Sequence, residues 1–255
     1  MLFDTHLHTT FSTDSRMTLA EAADAAEKKG IGIIVTEHMD IGYPEKNAFV
    51  FDVQEYFSQY EAKRSENMLL GIEIGMMLAQ HQPAQTIIDE YPFDFVIGSI
   101  HFVDEQDIYQ PSFYQEREKS ETYGRYFESM AECIGRYRGI HTLGHIDYIC
   151  RYAPYENKEI EYAAMREWID PVLKKAAECE LAMEINTRRL NSETVHSLLP
   201  VYRRFAELGG KMATIGSDSH RPEDVGRGLG DALALADAVG LQAVYFKNGK
   251  PIKMK

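Results

Sequence analysis

Short apolar runs of strand length recur along this chain, separated by longer stretches of helical character. The runs fall near residues 2–8, 31–37, 68–74, 94–100, 140–146, 181–186 and 212–217. Helices are predicted near 18–29, 53–65, 83–90, 112–137, 159–179, 194–208 and 231–239. Local chemistry marks several of the ends. Thr18 is placed to cap the first helix and Gly30 to stop it, while Gly209 and Gly210 end another. Pro171 and Pro200 must be kinks or early-turn positions. A last apolar segment, Ala243–Phe246, is closed by the turn Asn248-Gly249. Strands alternating with helices build β/α units with a parallel sheet. The expected fold is a single α/β domain over residues 1–255, of the length usual for a TIM-like barrel.

The longest excursion, about 102–139, carries Tyr109, Phe113, Tyr114, Tyr123, Tyr126 and Phe127. Loops that follow barrel strands carry function, so this segment can roof an active site. The plainer expectation is that most of these rings pack a helix onto the barrel.

Charge and composition narrow the functional classes. Forty acidic against 27 basic residues give a net charge of −13, which disfavours nucleic acid or an anionic membrane as partner. A small phosphorylated substrate stays open, because bound cations would offset part of that charge. Three cysteines without C-x-x-C spacing imply neither a disulfide framework nor a zinc ribbon. No apolar run of about 20 residues is available to span a membrane, and no basic or long apolar leader precedes His6, so the expected location is the cytoplasm.

Six of the nine histidines sit at the trailing ends of the predicted strands. They occur in Asp4-Thr-His6-Leu-His8, Thr36-Glu37-His38, Gly98-Ser-Ile-His101, Gly144-His145-Ile-Asp147 and Gly216-Ser-Asp218-Ser-His220, and Glu73 ends a further segment. Side chains alternate along a strand, so His6 and His8 project to one side, as do Asp218 and His220. Imidazoles and carboxylates are the usual protein ligands of Zn, Fe and Mn, and barrel strand C-termini open on one face. One such pair is a weak signal; six strand ends carrying them together indicate a multinuclear metal site. Asp14, in the loop before the first helix, is a further ligand candidate whose plainer role is a cap. His81, His141 and His196 lie elsewhere and are expected to be surface or packing residues.

These motifs, together with Asp4-Thr-His6-Leu-His8-Thr-x-Phe-Ser-x-Asp14, resemble the polymerase-and-histidinol-phosphatase (PHP) family across essentially the whole chain. The segments around Gly98–Val103, Gly144–Tyr152 and Glu184–Thr187 resemble its monofunctional histidinol-phosphate phosphatases. The resemblance implies a distorted (β/α)7 TIM-like barrel holding three divalent metal ions at its strand C-termini. Carried over, His6, His8, Glu73 and Asp218 would bind the first metal. Glu73 would bridge to a second held by His101 and His145, and Asp14, His38 and His220 would hold a third. It implies hydrolysis of L-histidinol phosphate in histidine biosynthesis. Where most PHP sequences have an aspartate before the third-metal histidine this chain has Glu37, expected to influence how His38 is oriented.

The chemistry expected of such a cluster is metal-dependent phosphomonoester hydrolysis. Two ions sharing Glu73 at roughly 3.5–4 Å would hold a bridging water as hydroxide for in-line attack. Asp218 is the carboxylate available to take the water's proton, or serves as a ligand only. Arginine suits phosphate because its planar fork donates two hydrogen bonds. Arg151 is the first candidate, then Arg189 or Arg188, with Arg16 last. Glu105, Glu116 and Tyr114 are candidates for the wall against the substrate's amine and imidazole. The sequence admits Zn, Mn or Fe. The rival readings are a PHP-type protein-tyrosine phosphatase or other small-molecule phosphoesterase, an amidohydrolase, and a metal-binding module without catalysis. An amidohydrolase usually brings a carboxylated lysine, and no lysine lies near Glu73. An inactive module should lack ligands, and all nine are present.

Overall fold

Parallel strands follow one another in chain order around the molecule: β1 (Phe3–Leu7), β2 (Gly32–Met39), β3 (Met68–Gly75) and β4 (Phe95–Ser99). A small antiparallel hairpin, β5 (Phe102–Val103) and β6 (Gln106–Asp107), interrupts the series. It resumes with β7 (Thr142–Leu143), β8 (Ala182–Asn186), β9 (Met212–Gly216) and β10 (Gln242–Lys247), and β11 (Lys250–Lys253) folds back antiparallel. The nine-stranded sheet has the order β1-β2-β3-β4-β7-β8-β9-β10-β11. This is a computed structural model, and it describes residues 1–254.

Helices α1 (Leu19–Lys29), α2 (Val53–Tyr60), α3 (His81–Glu90), α4 (Lys119–Ile134), α5 (Tyr148–Tyr152), α6 (Tyr162–Glu178), α7 (Ser192–Glu207) and α8 (Leu229–Val239) connect the strands. β2 and β4 are buried along their whole length, which explains why they open as near-continuous apolar runs rather than as alternating ones; β1 is equally buried but carries Asp4, Thr5 and His6.

On the edge away from β8, β9 meets two neighbours at different heights. Its start pairs with β10, Ala213 opposite Ala243. Beyond its end the chain returns to β1: the Asp218 N–H donates to the His6 carbonyl at 2.7 Å, and the His8 N–H to the Ser219 carbonyl at 2.9 Å. The buried Asp4 carboxylate pins this junction, accepting from the Ser217 N–H at 2.8 Å and the Gly226 N–H at 2.7 Å. β9 is thereby tied to β1 at the C-terminal end, where the histidines gather.

Several boundaries follow the local chemistry. Thr18 closes a capping box with Glu21, and Gly30 ends α1 at φ 64°. The β10–β11 turn uses Asn248 and Gly249, both at positive φ, as a two-residue hairpin requires. Other elements differ from the sequence reading. The expected helix 112–137 is split: a 3-10 turn at Pro111–Tyr114 is followed by Glu116 at φ 58°, and α4 starts only at Lys119. The fifth parallel strand shrinks to two residues. Pro171 and Pro200 lie inside α6 and α7, not in their first turns. Of the six aromatics in the excursion, five are buried in the core; Tyr109 alone is 57% exposed.

Candidate metal centre

Five of the six strand-end histidines converge on one carboxylate, and the sixth, His220, packs beside them. Glu73, fully buried near the end of β3, points Oε2 at His6 Nε2 (3.3 Å), His8 Nε2 (3.5 Å) and His38 Nδ1 (2.8 Å). Its Oε1 faces the opposite group, His145 Nε2 at 2.9 Å and His101 Nε2 at 3.4 Å, and accepts from Ser99 Oγ at 2.7 Å. Each oxygen therefore serves a different set of imidazoles. His220 lies beside His8, their ring centroids 4.4 Å apart and the planes tilted by 32°. Asp14 meets His220 Nε2 at 3.0 Å and His38 Nε2 at 3.7 Å. Asp218 lies 3.6 Å from His8 Nε2 and 3.7 Å from His220 Nδ1. All nine residues named from the sequence thus lie in one cluster.

The backbone is adapted to this crowding. A Cβ on Gly216 would sit 2.3 Å from the Cβ of His6, and one on Gly75 would sit 1.7 Å from an Asp40 carboxylate oxygen. Neither position accepts a larger residue without displacing the site. Asp218 itself adopts φ 51°, a conformation uncommon outside glycine.

Two further carboxylates orient the imidazoles from outside. Glu184 on β8 holds His6 Nδ1 at 2.6 Å and accepts from the His145 N–H at 2.7 Å. Asp40, at the exit of β2, holds His101 Nδ1 at 2.8 Å. A carboxylate on one ring nitrogen leaves the other free to bind metal. Neither role was read from the sequence, although His38-x-Asp40 carries the same-side spacing that singled out His6-x-His8. Glu37 also departs from expectation. It reaches Thr9 and Ser12 in the loop after β1, not the ring of His38.

The electrostatics are those of a cation site. Burial would raise the Glu73 pKa, but His6, His38 and His101 hold it well below the usual carboxylate range. Asp218 is likewise buried yet held low, chiefly by Arg151 and by its bond with His8. His6 moves the other way: burial opposes its protonation, but Glu184 and Glu73 raise it well above the ordinary value. His8 is pushed down by burial and by its neighbours His38 and His220. Buried polar atoms here lack hydrogen-bond partners among the described residues: Glu73 Oε2, His38 Nδ1, His101 Nε2 and His220 Nε2. Such atoms are costly in a protein interior unless something binds them. A set of imidazoles and carboxylates with partnerless atoms turned toward one space fits divalent cations. Four overlapping triads have donor atoms close enough to share an ion: His8/His38/His220, His6/His8/Asp218, His6/Glu73/His145 and His38/Asp40/His101.

The cluster forms the floor of a cavity of about 480 Å³. Arg151 and Arg188 line it. Arg151 Nη2 donates to Asp218 Oδ2 at 2.7 Å, its Nε lacks a partner among the described residues, and its guanidinium lies 5.0 Å over the Tyr148 ring. Arg188 Nη1 lies 3.2 Å from Asp218 Oδ1 and 3.0 Å from His220 Nδ1. Arg189 points away and is held by Asp147 at 2.7 Å and by Glu159. Arg16 is exposed and does not line the cavity. Arg151 belongs to the short helix α5, which is not among the helices predicted from the sequence. Glu105, Glu116 and Tyr114 are also outside the cavity; its outer wall carries Glu45, Asp107, Tyr43 and Tyr109 instead. The excluded histidines pack or face solvent. His81 meets Tyr137 edge-on, His141 stacks on Phe246, and His196 is exposed.

The model of the PHP domain matches residues 4–188, ending before Asp218 and His220. A probable histidinol-phosphatase of Clostridium acetobutylicum is 47% identical over 97% of both chains. The histidinol-phosphatase of Lactococcus lactis is 34% identical over 85% of this chain and 83% of its own. The crystal structure of the Lactococcus lactis histidinol phosphate phosphatase, complexed with Zn, L-histidinol and phosphate, superposes with a TM-score of 0.91. That match covers 99% of each chain at 31% identity. With this fold and these relatives, the chain belongs to the PHP family.

Proposed function

We propose that this protein is a metal-dependent phosphomonoesterase that hydrolyses L-histidinol phosphate to L-histidinol and phosphate. The observation that carries the reading is the divided carboxylate of Glu73, one oxygen toward His101 and His145, the other toward His6, His8 and His38. A carboxylate between two sets of imidazoles is built to be shared by two cations. His6, His8 and Asp218 would complete the first site, His101 and His145 the second, and Asp14, His38 and His220 a third. The donor set suits Zn, Mn or Fe. Bound divalent ions supply a water acidic enough to attack at neutral pH and positive charge for the phosphoryl oxygens.

The chain's own residues do the rest. Arg151 and Arg188 stand where a phosphate on the cluster would be, and their guanidinium forks bind and orient it. Asp218 is held too acidic, by Arg151 and its other partners, to be an efficient proton acceptor at neutral pH. Its part is to hold a cation and both arginines. On the outer wall, Asp107 and Glu45 complement the ammonium of the substrate, with Tyr43 and Tyr109 against the imidazole. Tyr43 donates to Asp107 at 3.2 Å, which fixes the direction of that carboxylate. Burial and Asp107 push the Tyr43 pKa up to about 12, keeping it a neutral donor.

The wider setting belongs to the same reading: one catalytic domain acting in histidine biosynthesis, in the cytoplasm. The location is supported by three free cysteines and by the lack, among the described residues, of any helix long and apolar enough to cross a membrane. A phosphate-release screen of metal-loaded enzyme tests the substrate. L-Histidinol phosphate should exceed phosphotyrosine and nucleotides in kcat/KM by orders of magnitude. Preference for phosphotyrosine would assign the site to the protein-tyrosine phosphatases of the family.

A further inference from the structure

We infer that Glu37 and Ser12 form a relay that fixes the ring proton of His8 on Nδ1 and aims its Nε2 lone pair into the cluster. The inference deepens the metal-centre reading and rests on it. It starts from one hydroxyl. Ser12 Oγ has three neighbours: Glu37 Oε2 at 2.6 Å, the His38 N–H at 3.0 Å and His8 Nδ1 at 3.1 Å. Ser12, Glu37 and His8 are at most 1% exposed, so water offers little alternative partnership.

A hydroxyl has one hydrogen to give and two lone pairs to offer. The backbone N–H of His38 can only donate, so it occupies one lone pair. A carboxylate can only accept, and Glu37 already has two donors: the Thr9 N–H reaches its oxygens at 3.0 and 3.1 Å, and the Thr9 hydroxyl donates to Oε1. The short contact from Ser12 makes it one more, and the serine hydrogen is thereby committed to Glu37. Only a lone pair remains for His8. The bond to His8 Nδ1 then exists only if that nitrogen carries the hydrogen, which strips Nε2 and leaves it pointing at Glu73 and Asp218.

His6 and His101 obtain the same result from direct carboxylate contacts, with Glu184 and Asp40. His8 does not, because strand alternation turns Glu37 to the face opposite its neighbour His38. The serine spans the gap. Ser12 and Glu37 are therefore positioning residues acting through His8.

The test uses metal-free protein labelled with ¹⁵N at histidine: wild type, Ser12→Ala and Glu37→Gln, each checked for folding by circular dichroism. Long-range ¹H–¹⁵N correlations identify which His8 nitrogen carries the hydrogen. The wild type should show Nδ1–H. Ser12→Ala removes the acceptor, and Glu37→Gln presents an amide that can turn the serine hydrogen toward His8; both should shift His8 to Nε2–H or to a mixture. Competition with a chromophoric chelator should then show Zn affinity reduced about 10- to 100-fold in both variants. If one variant fails to fold, the other decides. An unchanged His8 tautomer overturns the relay and leaves Glu37 as a brace for the loop. A wild type that binds no Zn would instead defeat the metal reading, which separates the two failures.

Discussion

Replacing Arg151 by alanine separates phosphate binding from metal binding more cleanly than any other single change. The guanidinium already gives one 2.7 Å bond to Asp218, yet its buried Nε has no partner among the described residues and the side chain lines the cavity above the cluster. A phosphate there would gain at least one charge-assisted hydrogen bond, and such bonds contribute about 1.5–3 kcal/mol. At about 1.4 kcal/mol per tenfold, Arg151→Ala should lower kcat/KM for L-histidinol phosphate by roughly 10- to 150-fold. The contact exists in ground and transition states alike, so KM should rise more than kcat falls. Steady-state phosphate release gives both constants, and elemental analysis should find the metal content unchanged because arginine is not a ligand. Arg189→Ala is the matched control. It frees Asp147 and Glu159, should cost on the order of 3 kcal/mol of stability, and should leave kcat/KM of the folded protein near wild type. An unaltered kcat/KM in Arg151→Ala, or a loss confined to Arg189→Ala, would refute the assignment.

Two more outcomes follow. Glu73→Gln keeps the shape but removes the charge facing both sets of imidazoles; metal content per chain should fall and turnover should drop by orders of magnitude, and wild-type loading and rate would disprove sharing. His141 gives a pH effect away from the site: burial pushes its pKa down to about 4. The unfolded chain therefore takes up a proton near pH 6.5 that the folded chain refuses until about 4, so this stability is full above 6.5 and is lost as pH falls through that window. Urea unfolding should show roughly 2 kcal/mol less contribution from this group at pH 5 than at pH 7. His141→Asn, which can still accept the 2.9 Å bond from the Val96 N–H, should lack that part of the slope; an identical slope would contradict the assignment.

The parts of the site legible in the sequence were those carried by strand periodicity. His6-x-His8 leaves its strand end with two donors on one side, and the structure keeps them together; Asp218 and His220 join the same cluster, but there the turn at Asp218, φ 51° and beyond the end of β9, does the placing. Elements built by tertiary context were not legible. Five residues are too few to show a helical period, so α5 and the placement of Arg151 on it were missed. Arg188 and Arg189 are adjacent and turn to opposite sides, so the choice between them depends on how the chain leaves β8. Glu184 is one carboxylate in an apolar strand, but its partner His6 lies 178 residues away, so no local spacing links them. The outer wall comes from the loop after β2 and from the β5–β6 hairpin and the turn after it, where no spacing rule links Glu45 to Asp107.

Metal removal is the most direct test of the central claim. Protein stripped by chelation, with metal shown absent by elemental analysis, should release no phosphate from L-histidinol phosphate above background. Activity should return on adding Mn, Zn or Fe. Full turnover by the verified metal-free protein would contradict the account.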